Sequence, residues 1–253
     1  MNLFHIFAKH GLRVFSFSDV AELLKEESFS ASYIRKLLTV MAKRGDLQRL
    51  GNGLYALPVH ILSGGSLHAF EIAMKLVHRG AISHRSAMFH HGMTDQILTH
   101  VYITSPRVPE SNRSSKSAYL INDTHYNIRR VQADHYYGVK RIFMGEISFW
   151  ITDLEKTMID GLSDPNLCGG FREVLHAFSH ARDNVNSETL LDYLKREPTV
   201  IAKRVGWILE TIKMLPELQS ELEKMPTQVV QKLDPSGLRR GHINKRWMLL
   251  ENM

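Results

Sequence analysis

The chain has almost no cysteine. Cys168 stands alone among 253 residues, so an intrachain disulfide is impossible and cysteine-rich zinc modules are excluded. A reducing compartment fits that usage. Long apolar runs are also missing, and no stretch approaches the roughly 18 to 20 residues needed to cross a bilayer. The opening Met1-Asn2-Leu3-Phe4-His5-Ile6-Phe7 is broken by Lys9, His10 and Arg13, with no small-residue cleavage site behind it. A cytoplasmic location and no membrane partner are therefore expected. What remains is 43% apolar and 23% charged, the profile of a globular chain long enough for two domains. Lys and Arg exceed Asp and Glu by 32 to 26, a net +6 that permits nucleic-acid binding and makes the placement of charge decisive.

From Ser18, Val20, Leu23 and Leu24 fall at i, i+3 and i+4 behind two residues suited to capping, Ser18 and Asp19, predicting a short amphipathic helix. After a turn at Ser28-Phe29-Ser30, the stretch from Ala31 to Arg44 puts Ile34, Leu37, Leu38 and Met41 on one face, with Ser30 as cap and Gly45 as stop. Two short apolar-rich runs then flank Asn52-Gly53, a dipeptide suited to the positive φ angles of a tight hairpin. With Met1 to His10 as a first helix, helix, turn, helix and hairpin form the order of a winged helix-turn-helix over residues 1–60. The second helix of such a pair enters the major groove with its N-terminal residues nearest the bases. Its outward positions here carry Ser32, Tyr33, Arg35 and Lys36. Arg35 suits a guanine edge or a phosphate, Lys36, Lys43 and Arg44 suit backbone charge, and Arg49 and Asn52 lie on the hairpin. A solvated face of a small protein-interaction domain is the plainer reading, but such faces mix signs and this helix has no carboxylate.

The pattern changes after Pro58, and Ser63-Gly64-Gly65-Ser66 reads as a linker into residues 61–253, an α+β body. A helix is expected over about Leu67 to His78, and another from Gly80 to Gly92. A strand should follow at His100 to Thr104, stopped by Ser105-Pro106, before a serine-rich exposed loop over 107–118. Strands are expected between Tyr119 and Ile151, notably Tyr126 to Val131 and Ile147 to Ile151. Thr152 and Glu155 have capping-box spacing ahead of a helix to Leu162. Further helices are predicted with Phe171, Val174, Leu175 and Phe178 on one face, from Ser187, from Thr199 and from Pro216. The basic, then apolar tail from Leu233 to Leu250 suggests a loop and a strand returning to the sheet.

Chemistry-bearing residues form no compelling active site. Asp153, Glu155, Lys156 and Asp160 are the residue types of a metal-dependent nuclease, yet capping and the helix dipole account for carboxylates at a helix start. His176 and His180 stand four apart, but no Glu follows the first as a metalloprotease helix requires. His84, His90 and His91 are a denser group within fourteen histidines and are read as structural. Gly64-Gly65-Ser66 resembles a nucleotidyltransferase opening but lacks a following Asp-x-Asp pair or a phosphate-loop Lys. Cys168 has no activating base nearby in sequence. The expectation is a non-enzyme without metal or cofactor.

Several segments in order, Gly53-Leu54-Tyr55-Ala56-Leu57-Pro58, Ile82-Ser83-His84-Arg85-Ser86-Ala87, Ile151 to Asp160, Asp164-Pro165 and Gly169 to Val174, resemble the AbiEi family of antitoxins. Leu233-Asp234-Pro235 and Arg246-Trp247 agree with it. The resemblance spans nearly the whole chain. It implies an antitoxin of a type IV toxin-antitoxin system tied to phage defence, whose functional partner is a nucleotidyltransferase-like toxin. The N-terminal winged helix would repress its own promoter as double-stranded DNA, and the C-terminal domain would neutralise toxicity. On that resemblance the DNA role falls on Arg35, Lys36, Lys43, Arg44 and Arg49. The 107–118 loop is not family pattern. A standalone winged-helix transcription factor, with a ligand-binding or dimerising C-terminal body, is the main alternative.

Overall fold

A computed structural model describes residues 6–7, 9–27, 29–58, 60–61, 66–96, 99–107 and 117–253. The architecture is mixed α+β, built on three sheets and three apolar cores. In the N-terminal part, strand β1 (Val14–Ser16) leads into helix α1 (Phe17–Leu23) and, after a short helical turn, α2 (Ala31–Lys43). Strands β2 (Gln48–Gly51) and β3 (Leu54–Ala56) complete an antiparallel sheet in the order β1-β3-β2. Asn52 and Gly53 both take positive φ, 53° and 77°, as a two-residue hairpin of this twist demands. Ser30 caps α2 by accepting from the Tyr33 amide, and Gly45 follows its end at φ 80°, both as the sequence predicts. The α1 cap differs from expectation. Ser16, not Ser18 or Asp19, takes the position, because its hydroxyl accepts from the Asp19 amide while the Asp19 carboxylate accepts from the Ser16 amide. The expected first helix over Met1 to His10 lies mostly outside the described residues.

The second layer begins with α3 (Ala69–Leu76), capped by His68 in a reciprocal arrangement with Glu71. Residues 80 to 92, expected as one helix, divide into the two-residue strand β4 (Ala81–Ile82) and helix α4 (His84–His90). Six strands form the central sheet: β4, β5 (His100–Pro106), β6 (Ala118–Ile121), β7 (Thr124–Val131), β8 (Val139–Met144) and β9 (Ile147–Thr152). Their order is β6-β7-β5-β4-β9-β8, with β5/β7 and β4/β9 parallel and the other pairs antiparallel. Ser105-Pro106 does not stop β5. Its β7 pairing runs on to Pro106 opposite Val131, while β4 reaches only Thr104 on the other side, so the missing proline N–H costs little at that free edge.

Helices α5 (Leu154–Ser163), α6 (Phe171–Ala181), α7 (Ser187–Leu194), α8 (Thr199–Thr211) and α9 (Pro216–Lys224) form the third body. Their apolar faces enclose Met158, Phe171, Val174, Phe178, Val205, Ile208 and the wholly buried Trp247. The tail does not return to the central sheet. Strands β10 (Gln231–Lys232), β11 (His242–Asn244) and β12 (Leu249–Glu251) make a small sheet of their own, because Trp247 anchors the segment on the helical core. At the other end, Val14, Leu50, Leu54 and Ala56 share one core with Phe70, Ile82, Ile103, Phe149 and Ile151. The ion pairs Lys75–Asp19 and Arg13–Glu71, at 2.8 and 2.9 Å, close the same seam.

Candidate functional sites: a basic helix face and a charged cavity

Two places concentrate polar groups without an evident structural task. On the first, α2 turns Ile34, Leu38 and Met41 into the N-terminal core and leaves Ser32, Tyr33, Arg35 and Lys36 exposed along its first turns. Lys43 and Arg44 are exposed at its end, and Arg49 and Asn52 on the hairpin. All eight residues singled out in the sequence therefore reach solvent. None of the five cations makes an ion pair among the described residues. Two of the eight are organised by neighbouring rings: the Arg35 guanidinium lies 4.4 Å over Phe17 of α1, and Tyr33 stacks on Phe29 at 5.0 Å. Such a contact limits Arg35's rotamers while leaving its donors free.

The second place is a cavity of about 380 Å³ walled by the end of β7, by α5 and by the segment joining α7 to α8. Arg107, Arg129, Arg130 and His135 come from the ends of β5 and β7 and the turn that follows, Lys156, Asp160 and Asp164 from α5 and its end, and Glu197, Pro198 and Ile201 from the segment entering α8; His135 Nδ1 lies 3.5 Å from Glu197. Lys156 is buried with its ammonium 2.5 Å from Asp160 and 3.9 Å from Glu197, and it stands 4.7 Å over the Tyr137 ring. Burying such a pair is tolerable only with close partners. Glu197 also accepts from the Tyr137 hydroxyl at 2.5 Å; burial, then that carboxylate, push the phenol's pKa up. Arg129 pairs with Asp164 at 3.3 Å. Arg130 donates only to the Ser105 hydroxyl, and Arg107 has no side-chain partner among the described residues. Asp160 Oδ2 is buried and unpartnered.

His84 lines the same cavity. It is buried, shares a 2.9 Å hydrogen bond with Ser83 through Nδ1, and sits at φ 50° at the start of α4. A non-glycine residue there stores about 1 to 3 kcal/mol of strain. Burial holds its imidazole pKa below the ordinary value, with Lys156 and Arg129 acting the same way against the opposing carboxylates Asp160 and Asp164.

The capping box expected at Thr152 and Glu155 does not form. Asp153 is the cap, accepting from the Lys156 amide, and Thr152 turns inward to Thr157. Glu155 instead accepts from the Asn186 amide at 2.7 Å and ties α5 to α7. Asp153 and Glu155 thus serve separate structural bonds, while Lys156 and Asp160 face the cavity. The three histidines also separate: His90 and His91 pack edge to face away from His84, and His91 shares a hydrogen bond with the Thr152 carbonyl at 2.8 Å. His176 and His180 are exposed on α6, the latter bonded to the Met93 carbonyl. Among the described residues no group of three or more His, Cys, Asp or Glu could hold a metal ion. Cys168 is buried and its thiol pKa is pushed well up, by burial first. Gly64 and Gly65 lie outside the described residues, as do 108–116 of the serine-rich loop.

Sequence reasoning missed the cavity. Lys156, Asp160 and His84 stand out in the sequence as chemistry-bearing residues, but nothing local joins them to Arg129, Arg130 or Glu197, which reach them through the packing of distant segments.

Together these elements define a mixed α+β chain with an exposed cationic helix and a charged central cavity. No family model and no curated protein matches it. Among solved structures it is similar to the Rv2827c protein of Mycobacterium tuberculosis, with a TM-score of 0.68 and 14% identity, covering 98% of this chain and 89% of that one. That likeness extends the same overall fold over almost the whole length. No helix among the described residues is long and apolar enough to cross a membrane.

Proposed function

We propose that the chain is a DNA-binding antitoxin and transcriptional autorepressor of a type IV toxin-antitoxin operon, acting in the cytoplasm against a nucleotidyltransferase-like toxin. In this reading residues 1–60 are a winged helix-turn-helix and residues 61–253 the antitoxin domain. The observation that carries the DNA half is the α2 face: Arg35, Lys36, Lys43 and Arg44 exposed without ion pairs among the described residues, with Arg49 on the adjacent hairpin. Groups of this kind are positioned for phosphate and base-edge contact when such a helix enters the major groove. Arg35, braced by Phe17, is the best placed to fork onto a guanine. The antitoxin half rests on the resemblance to the AbiEi family.

Two cell-based measurements test the proposal. A reporter driven by the DNA upstream of the gene should be repressed by the chain and derepressed by Arg35→Ala/Lys36→Ala. Co-expression should rescue cells from the neighbouring gene's product; failure of rescue by soluble, folded protein removes the antitoxin claim. A standalone transcription factor with a ligand-binding body is the second reading, favoured by the charged cavity. Repression without any rescue would point to it.

A further inference from the structure

We infer that the cavity between β7, α5 and the α7–α8 segment binds a sugar phosphate, free or as part of a mononucleotide. Its volume, about 380 Å³, lies within the range of small-molecule sites. Its lining carries charges of both signs, some of them already paired: Arg129 with Asp164, and His135, whose Nδ1 lies 3.5 Å from Glu197. Arg107 and Arg130 have no carboxylate partner among the described residues, leaving two guanidinium groups for one anion, which they are suited to bind through forked hydrogen bonds. Asp160 and Glu197 share the Lys156 ammonium, and Glu197 is further engaged by Tyr137 and His135, so the spare acceptor for a hydroxyl donor is on Asp160. Asp160 Oδ2 is buried without a hydrogen-bond partner among the described residues, a state native interiors seldom leave unexplained. Pro198, Ile201 and Val131 supply apolar lining for a ring. The strained, buried, uncharged His84 at the edge adds a group that can donate or accept. A ligand that carries an anion, hydroxyls and a ring matches all three features, whereas inorganic phosphate matches only the first.

Isothermal titration of the full chain tests this with ribose 5-phosphate, adenosine monophosphate, adenosine and inorganic phosphate. Both phosphate esters should bind, with adenosine and inorganic phosphate about tenfold or more weaker, since adenosine lacks the anion and inorganic phosphate lacks the ring and its hydroxyls. Equal affinity of the two esters assigns the site to the sugar phosphate; tighter adenosine monophosphate assigns it to the mononucleotide. Arg107→Ala/Arg130→Ala should weaken the esters by about tenfold or more. Asp160→Asn should weaken them while sparing inorganic phosphate. Thermal melts of both variants separate lost binding from lost folding, and the exposed Arg107→Ala alone serves if Asp160→Asn fails to fold. No ester binding, equal affinity for inorganic phosphate, or unchanged binding by a folded arginine variant would each overturn the assignment. None of these outcomes depends on whether the α2 face binds DNA.

Discussion

Gly206→Ala tests the packing of the C-terminal body at its tightest point. Gly206 lies within α8, and a Cβ built there would meet Trp247 ring carbons at 2.0, 2.3 and 2.7 Å. Ordinary contact begins near 3.4 Å, so the ring would have to retreat by roughly 1.4 Å. Trp247 is wholly buried and its indole N–H donates to Glu210 at 2.5 Å, which leaves it no direction of easy retreat. Overpacking of this kind costs about 1 to 3 kcal/mol, and loss of the indole bond adds about 1 kcal/mol. The helical gain of alanine over glycine returns about 0.5 to 1 kcal/mol. A net loss of about 2 kcal/mol is expected in urea denaturation followed by circular dichroism. Trp247→Leu should abolish most of the penalty of a second Gly206→Ala change, giving a coupling of about 2 kcal/mol in a double-mutant cycle. Stability of Gly206→Ala within about 1 kcal/mol of the parent would refute the packing argument.

Three other outcomes follow from the same geometry. Burial lowers the His91 pKa from 6.5 to about 4, so the unfolded chain binds more protons between those values; stability should fall as pH drops through that window, by up to about 3 kcal/mol. His91→Gln should flatten that part of the pH profile, and an unchanged slope would place its origin elsewhere. Glu155→Ala should cost about 1 to 2 kcal/mol by leaving the Asn186 amide without its acceptor, with Glu155→Gln milder in the same denaturation assay; the reverse order would dissociate Glu155 from that bond. Cys168 should react with a thiol reagent slowly in the native protein and quickly in denaturant, given its burial and raised pKa.

Local signals were legible in the sequence wherever neighbours along the chain decide the structure. Ser30 and Gly45 bound α2 as predicted, Asn52-Gly53 turns the hairpin, and Pro216 opens α9. Failures cluster where distant partners decide. The strand β4 has only two residues and exists because β5 and β9 hold it from both sides. Glu155 has the spacing of a capping box, but the Asn186 amide from another helix outcompetes that role. Trp247 was visible as a motif residue, while the glycine at position 206 that admits its ring was not. The exposed cations of α2 could be named because helical periodicity alone sorts its two faces. The cavity could not, since its cations and carboxylates come from segments up to 90 residues apart, from Arg107 to Glu197.

The most direct test of the central claim is fluorescence anisotropy of the full chain with DNA from immediately upstream of its gene, as a function of salt, beside a random duplex. Substitutions serve better than removal of residues 1–60, because Val14, Leu50, Leu54 and Ala56 are part of the core shared with the central sheet. Specific binding should weaken steeply with salt as counterions are released. Lys43→Ala should lower affinity for both duplexes alike and reduce the salt slope by about 1, whereas Arg35→Ala should cost about 1 to 3 kcal/mol on the upstream site and relax its preference. Affinity for the upstream DNA no greater than for the random duplex, or unchanged in Arg35→Ala/Lys36→Ala, would contradict the account.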